Sequence, residues 1–117
     1  MSFFIAGTGS ALPEKVVTND DLTEFLDTSD EWIRTRTGIE RRHVLTSERL
    51  DELAIRSAKT ALLDAGVSGG EIDLIMCATM RADTFTPSLA CTVAEAIGST
   101  APAFDLNAAC VGVLYAM

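Results

Sequence analysis

Residues 72–79 have the sequence IDLIMCAT, and residues 103–106 have the sequence AFDL. Both runs are short, apolar and bounded by turn-forming residues, which is typical of β-strands. The first run is apolar enough to predict a strand that is buried on both faces, as in a parallel sheet. Between the two runs, residues 86–97 predict a helix with Pro87 at or near its first position. The order strand, helix, strand indicates an α/β fold with a crossover connection.

The N-terminal part of the chain adds shorter elements to this pattern. Residues 3–6 are apolar and precede a glycine-containing turn, so they predict a strand. Residues 20–26 predict a short helix that is capped by Thr18 or Asn19. Residues 39–44 predict a short strand or an extended arm.

Three more helices are predicted from their end signals. Thr28 and Glu31 have the spacing of a capping box and open a helix that Gly38 ends. Ser47 is a candidate cap for a longer helix over residues 48–65, whose apolar positions recur at a spacing of three and four. Residues 111–117 predict an apolar helix without a glycine cap or a polar end, so we expect the sequence to be truncated inside a helix.

Length and composition exclude several classes of protein. The 117 residues correspond to one domain, and an apolar fraction of 48% excludes a disordered chain. No apolar run is long enough for a membrane span, and the N-terminus lacks the basic start of a signal peptide. We therefore expect a cytoplasmic protein without a membrane partner.

The charge balance is acidic, with 17 acidic and nine basic residues and a formal net charge of −8. This balance argues against nucleic acid as a partner. Four of the nine basic residues lie within residues 34–42, which indicates a local anionic ligand such as a phosphate group. A solvated surface turn would explain the same cluster.

The three cysteines do not have the spacing of a metal site. Cys77, Cys91 and Cys110 contain no C-x-x-C pair, and His43 is the single histidine. We therefore expect no zinc site, and free thiols fit a reducing cytosol.

Cys110 is the first candidate catalytic residue because it lies between a predicted strand and a predicted helix. A thiol at a helix N-terminus is close to backbone N–H groups and the positive end of the helix dipole, which favour the nucleophilic thiolate. The small residues before it leave room for an acyl group. The alternative is a buried cysteine with a packing role, which is the role we assign to Cys77 and Cys91.

Trp32 and Arg36 form a second candidate site. They are four residues apart, so they share one face of the predicted helix. An indole beside a guanidinium can hold a heteroaromatic base and neutralise a phosphate. A partly buried core tryptophan with a solvated arginine is the alternative.

Four sequence blocks resemble the β-ketoacyl-acyl-carrier-protein synthase III family of the thiolase superfamily. Residues 27–42, DTSDEWIRTRTGIERR, carry the most specific resemblance, together with AFDLNAACVG at residues 103–112. GTGSALP at residues 7–13 and PSLAC at residues 87–91 are weaker blocks. All four occur in the order of the family and together span nearly the whole chain.

The resemblance implies a thiolase-like fold, in which two similar α/β halves form a five-layered αβαβα arrangement, commonly as a homodimer. Residues 1–117 would be one N-terminal half-domain, incomplete and without its C-terminal half. The implied activity is that of an acyltransferase in the initiation of fatty acid synthesis. An acyl group from acyl-CoA is transferred to a cysteine and condensed with malonyl-acyl carrier protein, with release of CO₂ and without a tightly bound cofactor or metal.

The resemblance also assigns roles to individual residues. Cys110 matches the acylated nucleophile. Thr28, Trp32 and Arg36 match positions that bind coenzyme A, with Trp32 against the adenine and Arg36 near a phosphate. Thr86 matches a residue that reaches into the acyl pocket of the partner subunit, where some members have phenylalanine. The smaller threonine predicts a longer pocket and acceptance of primers longer than acetyl.

Several family residues have no match in this sequence. The histidine and asparagine that stabilise the reacting groups lie in the second half of the family, and neither His43 nor Asn107 matches them. Arg41 and Arg42 receive no role beyond the basic surface. We therefore expect the chain alone to be inactive in condensation and to self-associate through exposed apolar surface.

Two alternatives to this function stay open. One is a non-catalytic module for coenzyme A binding or assembly. The other is a related thiolase-superfamily condensing enzyme of specialised metabolism.

Overall fold

The computed structural model of the chain describes residues 4–117. Backbone contacts divide the chain into two compact units, one formed by Leu12–Glu48 and the other by Met1–Ala11 with Arg49–Met117. Across the described residues, every helix is too short or too polar to cross a bilayer. Each unit carries one of the candidate sites.

The smaller unit contains two antiparallel strands, with two helices between them in the sequence. Its elements are β1 (Lys15–Thr18), α1 (Asn19–Thr23), α2 (Asp30–Thr37) and β2 (Arg41–Val44). Lys15 pairs with Val44, and Thr18 pairs with Arg41. The extended segment predicted for residues 39–44 therefore contains a strand, as expected.

Side-chain caps define where both helices of this unit begin. Thr18 caps α1, since its hydroxyl accepts from the backbone N–H of Asp21 while the Asp21 carboxylate accepts from the N–H of Thr18. That cap confirms one of the two predicted residues, although α1 ends at Thr23. The predicted capping box from Thr28 is wrong, because Ser29 caps α2 by accepting from the N–H of Trp32. Gly38 ends α2 as predicted, with a left-handed φ of 71° that glycine adopts without strain.

The larger unit contains a parallel strand pair connected by a helix. Its elements are α3 (Leu50–Ala65), β3 (Ile75–Ala78), α4 (Leu89–Ile97), β4 (Ala103–Leu106) and α5 (Gly112–Ala116), with 3₁₀ turns at Gly69–Glu71 and Ala109–Val111. Ile75 pairs with Ala103, and Ala78 pairs with Leu106. The predicted crossover and the predicted second strand are confirmed.

The core of this unit lies between the strand pair and α4. Ile75, Ala90 and Ala94 form its buried cluster. The expectation that β3 is buried on both faces is wrong for the described residues, because Met76 and Cys77 are only half-buried. Within residues 4–117, β3 has β4 as its strand partner, and the helices α4 and α5 contact it.

Two predicted helix starts are displaced. The helix α3 begins at Leu50 rather than after Ser47, because the Glu52 carboxylate accepts from the N–H of Arg49 and fixes the first turn there. The helix α4 is capped by Ser88, whose hydroxyl accepts from the N–H of Cys91, so Pro87 precedes the cap. Both corrections move the first helical residue by two positions or fewer.

The strand predicted for residues 3–6 is not formed by its described part, residues 4–6, and Phe3 lies outside the described residues. The following segment contacts α3 instead. The backbone N–H of Thr8 donates to the Asp64 carboxylate over 2.8 Å. A strand needs a ladder partner for its backbone groups, and this segment bonds to a helix side chain.

Candidate functional site

One exposed face of α2 carries an aromatic and cationic pair. The guanidinium carbon of Arg36 lies 4.8 Å from the centroid of the Trp32 ring, which is the geometry of a cation–π interaction. Trp32 remains 54% exposed, so it is not a core side chain. The shared helix face predicted from the spacing of the two residues is therefore present.

A cavity of about 630 Å³ adjoins this pair. Leu26, Asp27, Thr28, Ser29, Trp32 and Ile33 line it. The Thr28 hydroxyl oxygen is buried and has no hydrogen-bond partner among residues 4–117. A buried hydroxyl without a partner costs roughly 1–3 kcal/mol.

The four arginines of residues 34–42 differ in the groups that they contact. Arg34 forms ion pairs with Asp30 at 3.8 Å and with Glu40 at 4.0 Å. Arg42 is half-buried and donates to the side-chain oxygen of Asn19 at 2.6 Å. The expectation that Arg42 belongs only to the basic surface is thus wrong.

Arg36 and Arg41 form no ion pair with an acidic group of residues 4–117. Arg36 also lies beside the cavity-lining Trp32. An anionic ligand at this cavity would therefore meet Arg36 first.

Cys110 lies in the 3₁₀ turn Ala109–Val111, in the connection between β4 and α5. Cys110 is exposed in the described part of the chain, whereas the alternative role is that of a buried packing cysteine. The helix α5 begins at Gly112, so Cys110 lies two residues before the helix rather than at its start. Ala109 has a φ of 46°, a left-handed conformation that is strained for a residue other than glycine and is concentrated at functional sites.

The other two cysteines differ from each other. Burial, with a smaller contribution from the Asp105 carboxylate, raises the pKa of Cys77 to about 11, so its thiol stays protonated at neutral pH. That state fits the packing role assigned to Cys77. Cys91 is exposed, so the expectation that it is a buried packing cysteine is wrong for the described residues. Its sulfur lies 3.7 Å from the carbonyl oxygen of Ala103.

Thr86 lies in the connection before α4 and is exposed. The adjacent Phe85 is fully exposed, and the hydroxyl of Thr84 donates to the carbonyl oxygen of Pro87 over 3.0 Å. Thr86 and Cys110 both belong to the larger unit, while Thr28, Trp32 and Arg36 belong to the smaller one.

Sequence reasoning missed two polar residues that organise these elements. The Asp105 carboxylate accepts from the backbone N–H groups of Leu89 and Ala90, at 2.9 and 2.8 Å, and so joins β4 to the start of α4. Asn19 is 1% exposed and is the fully buried polar side chain of the described chain. An acidic residue inside the apolar run AFDL is the available signal for Asp105, whereas the local pattern at Asn19 indicates only a helix cap.

Comparisons with curated sequences and with solved structures find relatives of the same family. No protein-family model matches the chain. A β-ketoacyl-[acyl-carrier-protein] synthase III of Clostridium perfringens (strain SM101 / Type A) is 53% identical over 114 residues, which cover 97% of this chain and 35% of that protein. The crystal structure of 3-oxoacyl-[acyl-carrier-protein] synthase III from Aquifex aeolicus VF5 matches with a TM-score of 0.91 and 46% identity, covering 96% of this chain and 37% of the other. The chain belongs to the β-ketoacyl-[acyl-carrier-protein] synthase III family.

The synthase III relatives confirm the predicted α/β, thiolase-like fold. The chain spans about a third of the length of the relatives that it matches. A further match is the priming β-ketosynthase from the R1128 polyketide biosynthetic pathway, with a TM-score of 0.89 and 36% identity over 96% of this chain and 34% of the other. Residues 4–117 contain no group of three or more histidine, cysteine or acidic residues that could hold a metal ion.

Proposed function

We propose that this chain provides the acyl-accepting cysteine and a coenzyme A-binding helix face of a β-ketoacyl-acyl-carrier-protein synthase III. In this proposal, acyl-CoA is the acyl donor and malonyl-acyl carrier protein is the second substrate. Condensation releases CO₂ and initiates fatty acid synthesis without a tightly bound cofactor.

The observation that carries the binding part is the exposed Trp32 indole at this cavity, with the guanidinium carbon of Arg36 4.8 Å from its ring centroid. The indole offers a stacking surface for adenine, and Arg36 offers charged donors to a phosphate. Thr28 lines the same cavity and is the third proposed contact. Coenzyme A contains both an adenine and phosphates, which suits this combination.

The acyl-transfer part is assigned to Cys110. Its thiolate attacks the carbonyl carbon of the acyl-CoA thioester, a new carbon–sulfur bond forms at Sγ, and the bond to the coenzyme A sulfur breaks. Coenzyme A leaves as a thiolate and takes up a proton. The exposed position of Cys110 in a strained turn supports this role.

Thr86 is proposed to set the acyl-chain length. A threonine side chain occupies less volume than phenylalanine and leaves space for additional methylene groups. We therefore include primers longer than acetyl among the substrates. Activity measured across a series of acyl-CoA lengths tests this assignment, and strict preference for acetyl would contradict it.

A cytoplasmic homodimer completes the proposal. The three cysteines are free thiols, which fits a reducing compartment. Val113, Leu114 and Tyr115 on α5 are 60%, 68% and 69% exposed, and such apolar surface favours association with another chain. Light scattering should therefore show a mass larger than one chain, and a monomer would contradict this part.

The decisive experiment is intact-mass measurement after incubation with acetyl-CoA and with a longer acyl-CoA. We expect one acyl adduct that is lost in Cys110→Ala and retained in Cys91→Ala, the matched control at another exposed cysteine. Absence of the adduct, together with a change in Trp32 fluorescence on adding coenzyme A, would favour the non-catalytic binding module instead. An adduct that persists in Cys110→Ala would contradict the assignment of the nucleophile.

A condensing enzyme of specialised metabolism is the second candidate function. The match to the R1128 priming β-ketosynthase favours it, since 36% identity extends over 96% of this chain. Comparison of malonyl carrier proteins from fatty acid and polyketide systems as second substrates separates these two functions.

A further inference from the structure

We propose that Asn19 is the positioning residue that fixes the orientation of α2, and with it the Trp32–Arg36 face. The inference rests on the proposed function only where it concerns coenzyme A. Its structural part stands on contacts within the smaller unit.

Every polar atom of the Asn19 side chain is used. Its amide nitrogen donates to a carboxylate oxygen of Asp30 over 2.8 Å and to the carbonyl oxygen of Ile39 over 2.7 Å. Its side-chain oxygen accepts from the guanidinium of Arg42 over 2.6 Å. With 1% of its surface exposed, Asn19 has no water to replace a lost partner.

Two of these partners lie at opposite ends of α2. Asp30 is the first residue of the helix, and Ile39 follows Gly38, the residue that ends it. One amide therefore holds the chain where α2 begins and just after it ends, and Arg42 ties the same amide to β2. A helix that is held at two points has little freedom to rotate about its axis, and that rotation decides where Trp32 and Arg36 lie.

The contacts require an amide at position 19. Aspartate would keep an acceptor for Arg42, but it would lose both donors and bring a second carboxylate against Asp30. An apolar side chain would leave Arg42 and Asp30 without their buried partner. Asp30 pairs with Arg34 on its exposed side at 3.8 Å, and an exposed pair of this kind contributes little.

The test uses the fluorescence of Trp32, which is the single tryptophan of the chain. Three variants are compared: Asn19→Asp, Asp30→Asn, and the double variant N19D/D30N. The double variant restores the hydrogen bond between positions 19 and 30 with donor and acceptor exchanged, and it keeps an acceptor for Arg42. Asp20→Asn, an exposed change on the same helix α1, is the matched control.

Two quantities are measured for each variant, namely acrylamide quenching of Trp32 and its fluorescence titration with coenzyme A. For Asn19→Asp we expect altered quenching and about tenfold weaker binding of coenzyme A. We expect partial recovery of both quantities in N19D/D30N, because the bond between positions 19 and 30 returns while the bond to the Ile39 carbonyl oxygen does not. We expect no change in Asp20→Asn.

The outcomes separate the two proposals. If the unaltered chain does not bind coenzyme A, the proposed function fails, while acrylamide quenching still tests the role of Asn19. Unchanged quenching in Asn19→Asp overturns the inference. If Asn19→Asp does not fold, the double variant decides, because its failure to recover folding and quenching overturns the inference as well.

Discussion

The guanidinium of Arg36 covers one face of the Trp32 indole, with 4.8 Å between the guanidinium carbon and the ring centroid. A cation–π contact holds the guanidinium in place without using its N–H donors, so these donors stay available to an anion. The neighbouring Arg34 is different, because Asp30 and Glu40 already neutralise it. Two arginines on one helix therefore have different capacities for binding a phosphate.

Arg36→Met should weaken coenzyme A binding, because methionine keeps an unbranched side chain but removes the charge. We expect a loss of about tenfold or more, the size of a charge-assisted hydrogen bond, and a weaker dependence on salt. Fluorescence titration of Trp32 at low and high ionic strength measures both effects. Arg34→Met is the matched control, and an equal loss in that variant would contradict a specific role for Arg36.

The three thiols should react at different rates with an alkylating reagent such as iodoacetamide. Cys91 and Cys110 are exposed, whereas burial and the Asp105 carboxylate raise the pKa of Cys77 to about 11. At neutral pH we therefore expect modification of Cys91 and Cys110, with Cys77 protected, since the thiolate is the reactive form. Peptide mass analysis after alkylation measures each site.

Denaturant provides the control for this experiment, because Cys77 should then react like the other two cysteines. Asp105→Asn should increase the reactivity of Cys77 in the folded chain, since it removes the negative charge that opposes the thiolate. Equal alkylation of Cys77 and Cys91 in the native chain at neutral pH would show that the burial of Cys77 is not maintained.

The raised pKa of Cys77 also predicts how stability depends on pH. The folded chain disfavours the thiolate, so its contribution to stability is complete below about pH 9 and is lost as the pH rises through about 11. The free energy of unfolding from urea titrations should therefore fall across this range. Cys77→Ala should show a smaller decline than the unaltered chain, because tyrosine and lysine titrate equally in both. The same decline in both chains would be evidence against a shifted thiol.

The sequence predicted the elements whose signals are local. AFDL is bounded by a proline and an asparagine, and the structure forms a strand over those same residues, Ala103–Leu106. Trp32 and Arg36 share a face because helical periodicity alone determines it. Gly38 ends α2 because its left-handed conformation is a property of one residue.

The sequence-based predictions are wrong where the tertiary structure selects a different helix cap or hydrogen-bond partner. Ser29 rather than Thr28 caps α2, and the Thr28 hydroxyl instead lies buried at the cavity. Asp105 completes the N-terminus of α4 from a strand that is 15 or more residues away in sequence. The local pattern places Arg42 on a charged surface, whereas its guanidinium donates to the side-chain oxygen of the buried Asn19. Such contacts depend on tertiary packing, which no local pattern contains.

Gly9 should be intolerant of a side chain for a reason that concerns packing rather than ligand binding. The segment at residues 7–13 contains two glycines, Gly7 and Gly9, but it lacks the third glycine of a dinucleotide-binding loop. A Cβ atom at Gly9 would overlap the carbonyl oxygen of Ser57 and approach the backbone nitrogen of Ala61 to 2.5 Å. Because both atoms belong to the backbone of α3, they cannot move aside as a flexible side chain does.

Gly9→Ala should therefore lower the free energy of unfolding by about 2 kcal/mol or more, as measured by urea denaturation. Gly70→Ala is the matched control, since its Cβ would meet no atom closer than the Ser68 hydroxyl at 3.9 Å, and equal stability of the two variants would refute this close approach of Gly9 to α3.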